Sequence, residues 1–308
     1  MKKDLLSLYD LESRDFQEIF KKSAELKKML REGIPHARLA GKTLGMIFDK
    51  SSTRTRLSFE VGIYQLGGLA IYLNSRDIQL ARGESVEDTA RVVSRYLDGL
   101  IIRTFGQSVV EAFARYATVP IINGLTDLLH PCQILGDLFT ICEKKGRLEG
   151  LRIAYVGDGN NIANTWVEAS ARLPIILTLA CPVGYDPDAG ILGRATKDAP
   201  GRIHLFREPR EAVNGADVVY TDVWASMGQE AQKEARAKAF KTYQVNGTLM
   251  GHAKADAIVM HCLPAHRGEE ITAEVMDGPH SVVVDQAENR LHVQKAIMEI
   301  LMGGGKKN

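Results

Sequence analysis

Residues 43–66 read TLGMIFDKSSTRTRLSFEVGIYQL. An apolar run, Thr43–Phe48, passes through a polar turn into a helical pattern at Arg54–Leu66. The turn carries Ser52-Thr53-Arg54-Thr55-Arg56 directly between strand and helix. The first amides of a helix have no intrahelical acceptor and carry roughly half a positive charge, so they attract anions. Two arginines add forked donors that match phosphate oxygens, and three hydroxyls add more. The bland alternative is an ordinary N-cap followed by surface arginines. The full five-residue run at a strand–helix junction favours a phosphate cradle, built without a Walker lysine or its glycines.

The same alternation extends outward. Further apolar runs lie at Leu69–Leu73, Gly99–Arg103 and Val119–Ile122, with helices expected at Ser85–Tyr96 and Ser108–Tyr116. An earlier helix, Ser13–Arg31, repeats Phe16, Ile19, Phe20, Leu26 and Leu30 and ends before Gly33 and Pro35. A second series places strands at Arg152–Val156, Ile175–Ala180, Arg202–Phe206, Asp217–Tyr220, Ala257–Met260 and Ser281–Val284. Its helices are Ile162–Leu173 and Pro209–Asn214. Pro131–Lys145 joins the two series, and Gln294–Met302 closes the chain before a frayed tail. Strand–helix–strand spacing of this kind gives parallel sheets with right-handed crossovers. The fold class is therefore α/β: two domains, each a parallel sheet flanked by helices, joined by interdomain helices. Residues 1–131, completed by the C-terminal helix at 290–308, form the first domain, and residues 132–289 the second.

Bulk properties narrow the function. The 308 residues are 45% hydrophobic and 25% charged, the composition of an ordered globular chain. A net charge of +1 gives no global field for nucleic acid or a membrane surface. The four cysteines, Cys132, Cys142, Cys181 and Cys262, form no C-x-x-C pair, and no His spacing marks a zinc site, so no metal is expected. Neither a disulfide framework nor a signal peptide is legible, which points to a reducing, cytoplasmic setting. Leu173–Val183, the most apolar stretch, contains two prolines and is too short to span a bilayer; it reads as a buried strand.

Four more segments carry chemistry. Arg103 ends an apolar run, where ligands of open parallel sheets sit. His130-Pro131-Cys132-Gln133 leads into a helix with proline at its first position. His130 and Gln133 can donate hydrogen bonds to an oxygen that gains charge in an acyl-type transfer. Gly157-Asp158-Gly159-Asn160-Asn161 begins like a dinucleotide fingerprint, but Ile162 occupies the third glycine position and Asp158 would repel a pyrophosphate. An Asn pair there suits a zwitterionic amino acid instead. Asp222-Val223-Trp224-Ala225-Ser226-Met227-Gly228 offers a carboxylate for an ammonium group, a hydroxyl for a carboxylate, and a loop able to close. In His261-Cys262-Leu263-Pro264-Ala265-His266-Arg267-Gly268, Cys262 is a nucleophile, a metal ligand or a positioning group. Each segment alone also has a surface-loop reading.

Taken in order, these motifs resemble the aspartate and ornithine transcarbamoylases along nearly the whole chain, from about Leu5 to Leu301. Lys50–Glu60 is similar to the carbamoyl phosphate motif of that superfamily, and His130–Gln133 to its HPxQ motif in the ornithine form. GDGNN, DVWxSMG and HCLPAHRG resemble the ornithine branch. Aspartate enzymes carry an arginine-bearing HPLPR-type motif in place of Cys262. One departure is Asn164-Thr165-Trp166, where many relatives have His-Ser-Leu or similar.

The resemblance implies transfer of the carbamoyl group of carbamoyl phosphate to the side-chain amine of L-ornithine, giving citrulline and phosphate. It sends Ser52, Thr53, Arg54, Thr55, Gln79, Arg103, His130, Pro131, Cys132, Gln133, Cys262, Leu263 and Arg290 to carbamoyl phosphate. Gln79 would reach the site of a neighbouring subunit. Asn161, Asp222, Ser226 and Met227 are sent to ornithine. Arg54, Arg103, His130, Gln133, Asp222 and Cys262 carry catalysis. No cofactor is implied, and the assembly implied is a homotrimer, with or without further association. Carbamoyl phosphate is already activated, so direct amine attack needs no covalent enzyme intermediate. The rivals are putrescine, acetylated ornithine or aspartate as acceptor, a nicotinamide-dependent protein, and a silent scaffold.

Overall fold

A computed structural model describes residues 2–74, 78–225 and 232–303. The chain divides into two compact units, Met1–Phe139 with Glu288–Asn308, and Thr140–Ala287. Both divisions fall inside helices.

In the first unit, α1 spans Ser13–Arg31 and buries Phe16, Ile19 and Leu26 at helical spacing. Strands β1 (Thr43–Phe48), β2 (Leu69–Asn74), β3 (Gly99–Arg103) and β4 (Ile121–Leu125) form a parallel sheet in the order β2-β1-β3-β4. Helices α2 (Thr53–Gln65), α3 (Val86–Val93) and α4 (Gln107–Tyr116) are the crossovers. Ile47, Leu100, Ile102, Val110, Phe113 and Ile121 pack into one apolar cluster. Burying them against the helices is what holds sheet and crossovers together. The first half of α5 (Pro131–Lys145) belongs to this unit, as does most of α12 (Val283–Met302).

The second unit has five parallel strands in the order β7-β6-β5-β8-β9. They are β5 (Arg152–Val156), β6 (Ile176–Ala180), β7 (Ile203–Phe206), β8 (Val218–Thr221) and β9 (Ile258–His261). Helices α6 (Asn161–Arg172), α7 (Ala189–Asp198), α8 (Pro209–Val213), α9 (Lys233–Ala239), α10 (Gly247–Met250) and α11 (Ala273–Met276) accompany them. Its core includes Ala154, Val156, Val219, Phe240, Tyr243 and Val259.

Two expectations need correction. Ser281–Val284 is no strand: Ser281 makes one isolated bridge to Val259, and helix begins at Val283. The terminal helix therefore starts at Val283 rather than Gln294. Three consecutive valines mimic a strand, but Val283, Gln286, Asn289, Arg290 and Val293 are all buried, and 3.6-residue packing prevails. Helix α7 was not expected. It has two glycines and one buried residue, Ala195, and is started by Asp188, whose Oδ1 accepts from the amides of Gly190 and Ile191.

Each sheet has a point where successive connections depart to opposite sides. In the first it lies between β1 and β3; in the second, between β5 and β8. Ligands of open parallel sheets bind beyond the strand ends at such points. The turn after β1 is Asp49–Ser52, β3 ends at Arg103, the turn after β5 begins at Gly157, and Asp222 follows β8.

Candidate active site

The first half-site forms around the start of α2. Ser52 is its N-cap, and its Oγ accepts from the Thr55 amide at 3.2 Å. That bond orients the first turn, leaving the Thr53 and Arg54 amides at the helix start. The Arg54 Nε is buried and has no hydrogen-bond partner among the described residues. A buried guanidinium donor without an acceptor is costly unless a ligand supplies one. Arg56, by contrast, binds Glu60 at 2.8 Å and lies over the Tyr72 ring. It is occupied away from the turn.

Arg103 is buried at the end of β3, its Nε donating to the Lys50 carbonyl at 3.2 Å. Arg290, on α12, donates to Thr55 Oγ1 at 2.7 Å. A Cβ on Gly136 would lie 3.3 Å from Arg290 Cγ, so the glycine in α5 makes room for that arginine. His130 is buried, and its pKa falls well below the ordinary value, first by burial, then by the Arg290 and Arg103 charges. The imidazole is therefore neutral at physiological pH. Gln133 Nε2 donates to buried Asp137 at 2.8 Å.

Cys132 contributes differently. Its thiol donates to the Asn123 carbonyl at 3.3 Å and is fully buried, which pushes its pKa up to about 12. The side chain packs the start of α5, so only its backbone can face a ligand. Pro131 begins α5, where no amide donor is needed. Gln79 opens a short 3-10 turn, Gln79–Arg82, with its side chain exposed and not hydrogen-bonded among the described residues.

In the second unit, Asp222 connects three motifs. Its Oδ2 accepts from Asn160 Nδ2 at 2.8 Å, and its Oδ1 from the Cys262 thiol at 2.9 Å. Asn160 was not singled out as a site residue. Its Oδ1 also caps α6 through the Ile162 and Ala163 amides, so one side chain fixes both the helix start and the carboxylate. Asn161 is the first residue of α6. Gly159 is tight for a reason unrelated to nucleotides: a Cβ would come within 2.2 Å of the Asp186 backbone. Asn164-Thr165-Trp166 is structural. Trp166 is fully buried edge-on to Tyr220, and Asn164 Oδ1 accepts from the Asp188 amide at 2.8 Å.

Asp158 is paired with Arg236 at 2.9 Å, and the same Arg236 nitrogen donates to the Trp224 carbonyl at 2.8 Å. Burial raises the Asp158 carboxyl to about 6, with Arg236 opposing the rise. The pair ties the GDGNN turn to Trp224, two residues past Asp222. Ser226 and Met227 lie outside the described residues. Arg236→Met leaves a buried carboxylate unpaired and is expected to cost about 3 kcal/mol of stability. Chemical denaturation checks this; a loss within experimental error contradicts a structural role for the pair.

Cys262 and Leu263 sit on the turn after β9. Leu263 has φ 60°, a left-handed conformation costly for a side chain of its size. His261 holds the turn: its Nδ1 accepts from the Leu263 amide at 2.8 Å and its Nε2 meets Glu270 Oε1 at 3.0 Å.

Each of the two α/β units thus carries a cluster of polar side chains beyond its switch point. Residues 3–143 match the family domain described as aspartate/ornithine carbamoyltransferase, carbamoyl-P binding domain, and residues 149–301 match the Asp/Orn binding domain. The chain belongs to the aspartate/ornithine carbamoyltransferase family. It is 68% identical to the ornithine carbamoyltransferase of Syntrophus aciditrophicus (strain SB), over 98% of this chain and all of that protein. It is 55% identical to that of Thermococcus kodakarensis, covering 99% of this chain and 98% of the other. Among solved structures, the ornithine carbamoyltransferase from Pyrococcus furiosus superposes with a TM-score of 0.95 at 52% identity, covering 98% of both chains.

Proposed function

We infer that this chain is an ornithine carbamoyltransferase, converting carbamoyl phosphate and L-ornithine to L-citrulline and phosphate. Full-length similarity to enzymes of that name supports the reaction. The observation that carries the chemistry is the contact of Asp222 with both Asn160 and Cys262, which joins all three ornithine-type motifs.

In this reading Ser52, Thr53, Arg54 and Thr55 hold the phosphate with Arg103 and Arg290. Neutral His130, Gln133 and Arg103 polarise the carbonyl. Asn161 and Asp222, with Ser226 and Met227, take the amino-acid groups of ornithine. Cys262 and Leu263 are assigned to carbamoyl phosphate. The side-chain nitrogen attacks the carbonyl carbon, a C–N bond forms, the C–O bond to phosphate breaks, and phosphate leaves. The amine must lose a proton, since its unperturbed pKa is near ~10.4, like lysine's. Asp222 and Cys262 position it. Orientation of two bound reactants accounts for roughly 7–11 kcal/mol of the barrier in favourable cases. Offering ornithine, putrescine, acetylornithine and aspartate separately tests the acceptor. Strong preference for ornithine is expected; preference for another acceptor overturns the Asp222 and Cys262 assignments.

The assembly proposed is a homotrimer in the cytoplasm. No helix among the described residues is long and apolar enough to cross a membrane. Leu57, Tyr64, Leu69, Val92 and Tyr96 are exposed apolar side chains on α2, β2 and α3 and its flank. Gln79 is proposed to reach a neighbouring subunit. Light scattering should give three times the 33.9 kDa chain mass, or a multiple of it; a monomer would contradict this.

A further inference from the structure

His266, Glu269 and Glu270 lie on the turn that follows the Cys262 segment, all within the second unit. They bring one ligand-type atom each within 4.8 Å of one another. The linear sequence does not advertise this, because the usual Cys and His spacings are absent. The turn at Arg267–Glu270 gathers the three side chains.

Glu270 is the central observation. It is completely buried. Its Oε1 accepts from His261 Nε2 at 3.0 Å and from the His266 amide at 2.6 Å. Burial raises its pKa, but the hydrogen bonds from His261 and the His266 amide, with the His261 ring beside it, leave it below the usual value. It is a buried carboxylate. Its second oxygen, Oε2, is also buried and has no hydrogen bond among the described residues. His266 Nδ1 lies 3.7 Å from Oε2, beyond hydrogen-bond range. A buried anionic oxygen without a donor calls for a cation.

The neighbours supply the remaining ligands. Glu269 Oε2 is 3.9 Å from the same His266 Nδ1, while its Oε1 faces Lys233 at 3.2 Å. A tetrahedral ion at about 2.0–2.2 Å from each ligand sets neighbouring ligand atoms roughly 3.3–3.6 Å apart. The two separations from His266 Nδ1, 3.7 Å and 3.9 Å, exceed that by a few tenths, and all three ligand atoms lie within 4.8 Å of one another. His266 and Glu269 are part-exposed, so both can move inward and the ion has a route in. One imidazole and two carboxylates suit a borderline divalent ion such as Zn²⁺, Co²⁺, Ni²⁺ or Mn²⁺, and not an all-oxygen Ca²⁺ cage.

We propose that His266 Nδ1, Glu269 and Glu270 Oε2 form a divalent transition-metal site that pins the turn carrying Cys262 and Leu263. Glu270 holds both ends of that turn through His261 and the His266 amide. An ion on its other oxygen fixes the carboxylate and stabilises the folded state it binds. The inference does not depend on which acceptor the enzyme uses. A separate cluster, Asp222, His261 and Cys262, also brings its ligand-type atoms within 4.8 Å of one another. Both ring nitrogens of its His261 are engaged, by Glu270 and the Leu263 amide, and its sulfur gives it a distinct optical signature.

The experiment is titration of the chelator-treated full-length protein with Co²⁺, followed by calorimetry and absorption. Saturable binding is expected without thiolate charge-transfer absorption, and unchanged in Cys262→Ser. His266→Ala and Glu269→Gln should each weaken it by roughly tenfold or more. Metal-free His266→Ala should unfold at the wild-type temperature, because its side chain is half-exposed. The proposal is overturned if both variants bind Co²⁺ as wild type does, if binding disappears in Cys262→Ser, or if no saturable uptake occurs at millimolar Co²⁺.

Discussion

Arg54→Ala is expected to lower kcat/KM for carbamoyl phosphate by roughly 10²–10³-fold, the range seen when one preorganised donor to a developing oxyanion is removed. Arg54 sits in the first turn of α2, where the amides already favour an anion. Its buried Nε has no acceptor among the described residues, so the anion is its natural partner. Alanine removes a forked donor and leaves the cap bond from the Thr55 amide to Ser52 intact. The helix, and with it the fold, should survive. Arg54→Lys should recover only part of the loss, because an ammonium is a point charge that lacks the planar fork. Steady-state kinetics with carbamoyl phosphate varied at saturating ornithine decides it. Wild-type kinetics in Arg54→Ala would remove this arginine from the phosphate site.

Asp222→Asn should act on the other substrate. The side chain is nearly isosteric, but the negative charge is lost, and with it the partner for a bound ammonium group. Truncating one member of a buried charge pair costs about 2–5 kcal/mol, so kcat/KM for ornithine is expected to fall roughly 30-fold or more. Binding of carbamoyl phosphate alone, read by calorimetry, should not change. An amide also disturbs the resident contacts. Asn160 donates to Oδ2 and the Cys262 thiol to Oδ1, and an amide NH₂ group can accept from neither. Cys262→Ser keeps a donor to Asp222 and is expected to lose much less. Equal losses in Asp222→Asn and Cys262→Ser would mean that the thiol does more than position the carboxylate.

The residues differ in how far sequence could place them. The strand–turn–helix at Thr43–Leu66 carries its own punctuation, and the structure follows it closely. Arg103, Asp222 and Cys262 were legible because each directly follows an apolar run, and the end of a parallel strand is where such residues gather. Asn160 was passed over for Asn161. Adjacent asparagines look equivalent in a string, and only the N-cap geometry turns Asn160 toward Asp222. Cys132 looked like a ligand group because it lies inside a motif, yet helical phase turns its thiol inward to Asn123. The start of α12 was hidden by Val282–Val284, whose β-branched side chains favour strands locally while tertiary burial selects helix. The Asp158–Arg236 pair is separated by 78 positions, and no local pattern announces such a contact.

The central claim is direct transfer of the carbamoyl carbon to the side-chain nitrogen of ornithine. Incubating the protein with [¹³C]carbamoyl phosphate and ornithine labelled with ¹⁵N at the side-chain amine, followed by NMR, tests it most directly. Citrulline with one-bond ¹³C–¹⁵N coupling, and one phosphate released for each molecule formed, is the predicted result. Label on the α-amine, transfer of the phosphoryl group instead, or no coupled product would contradict it.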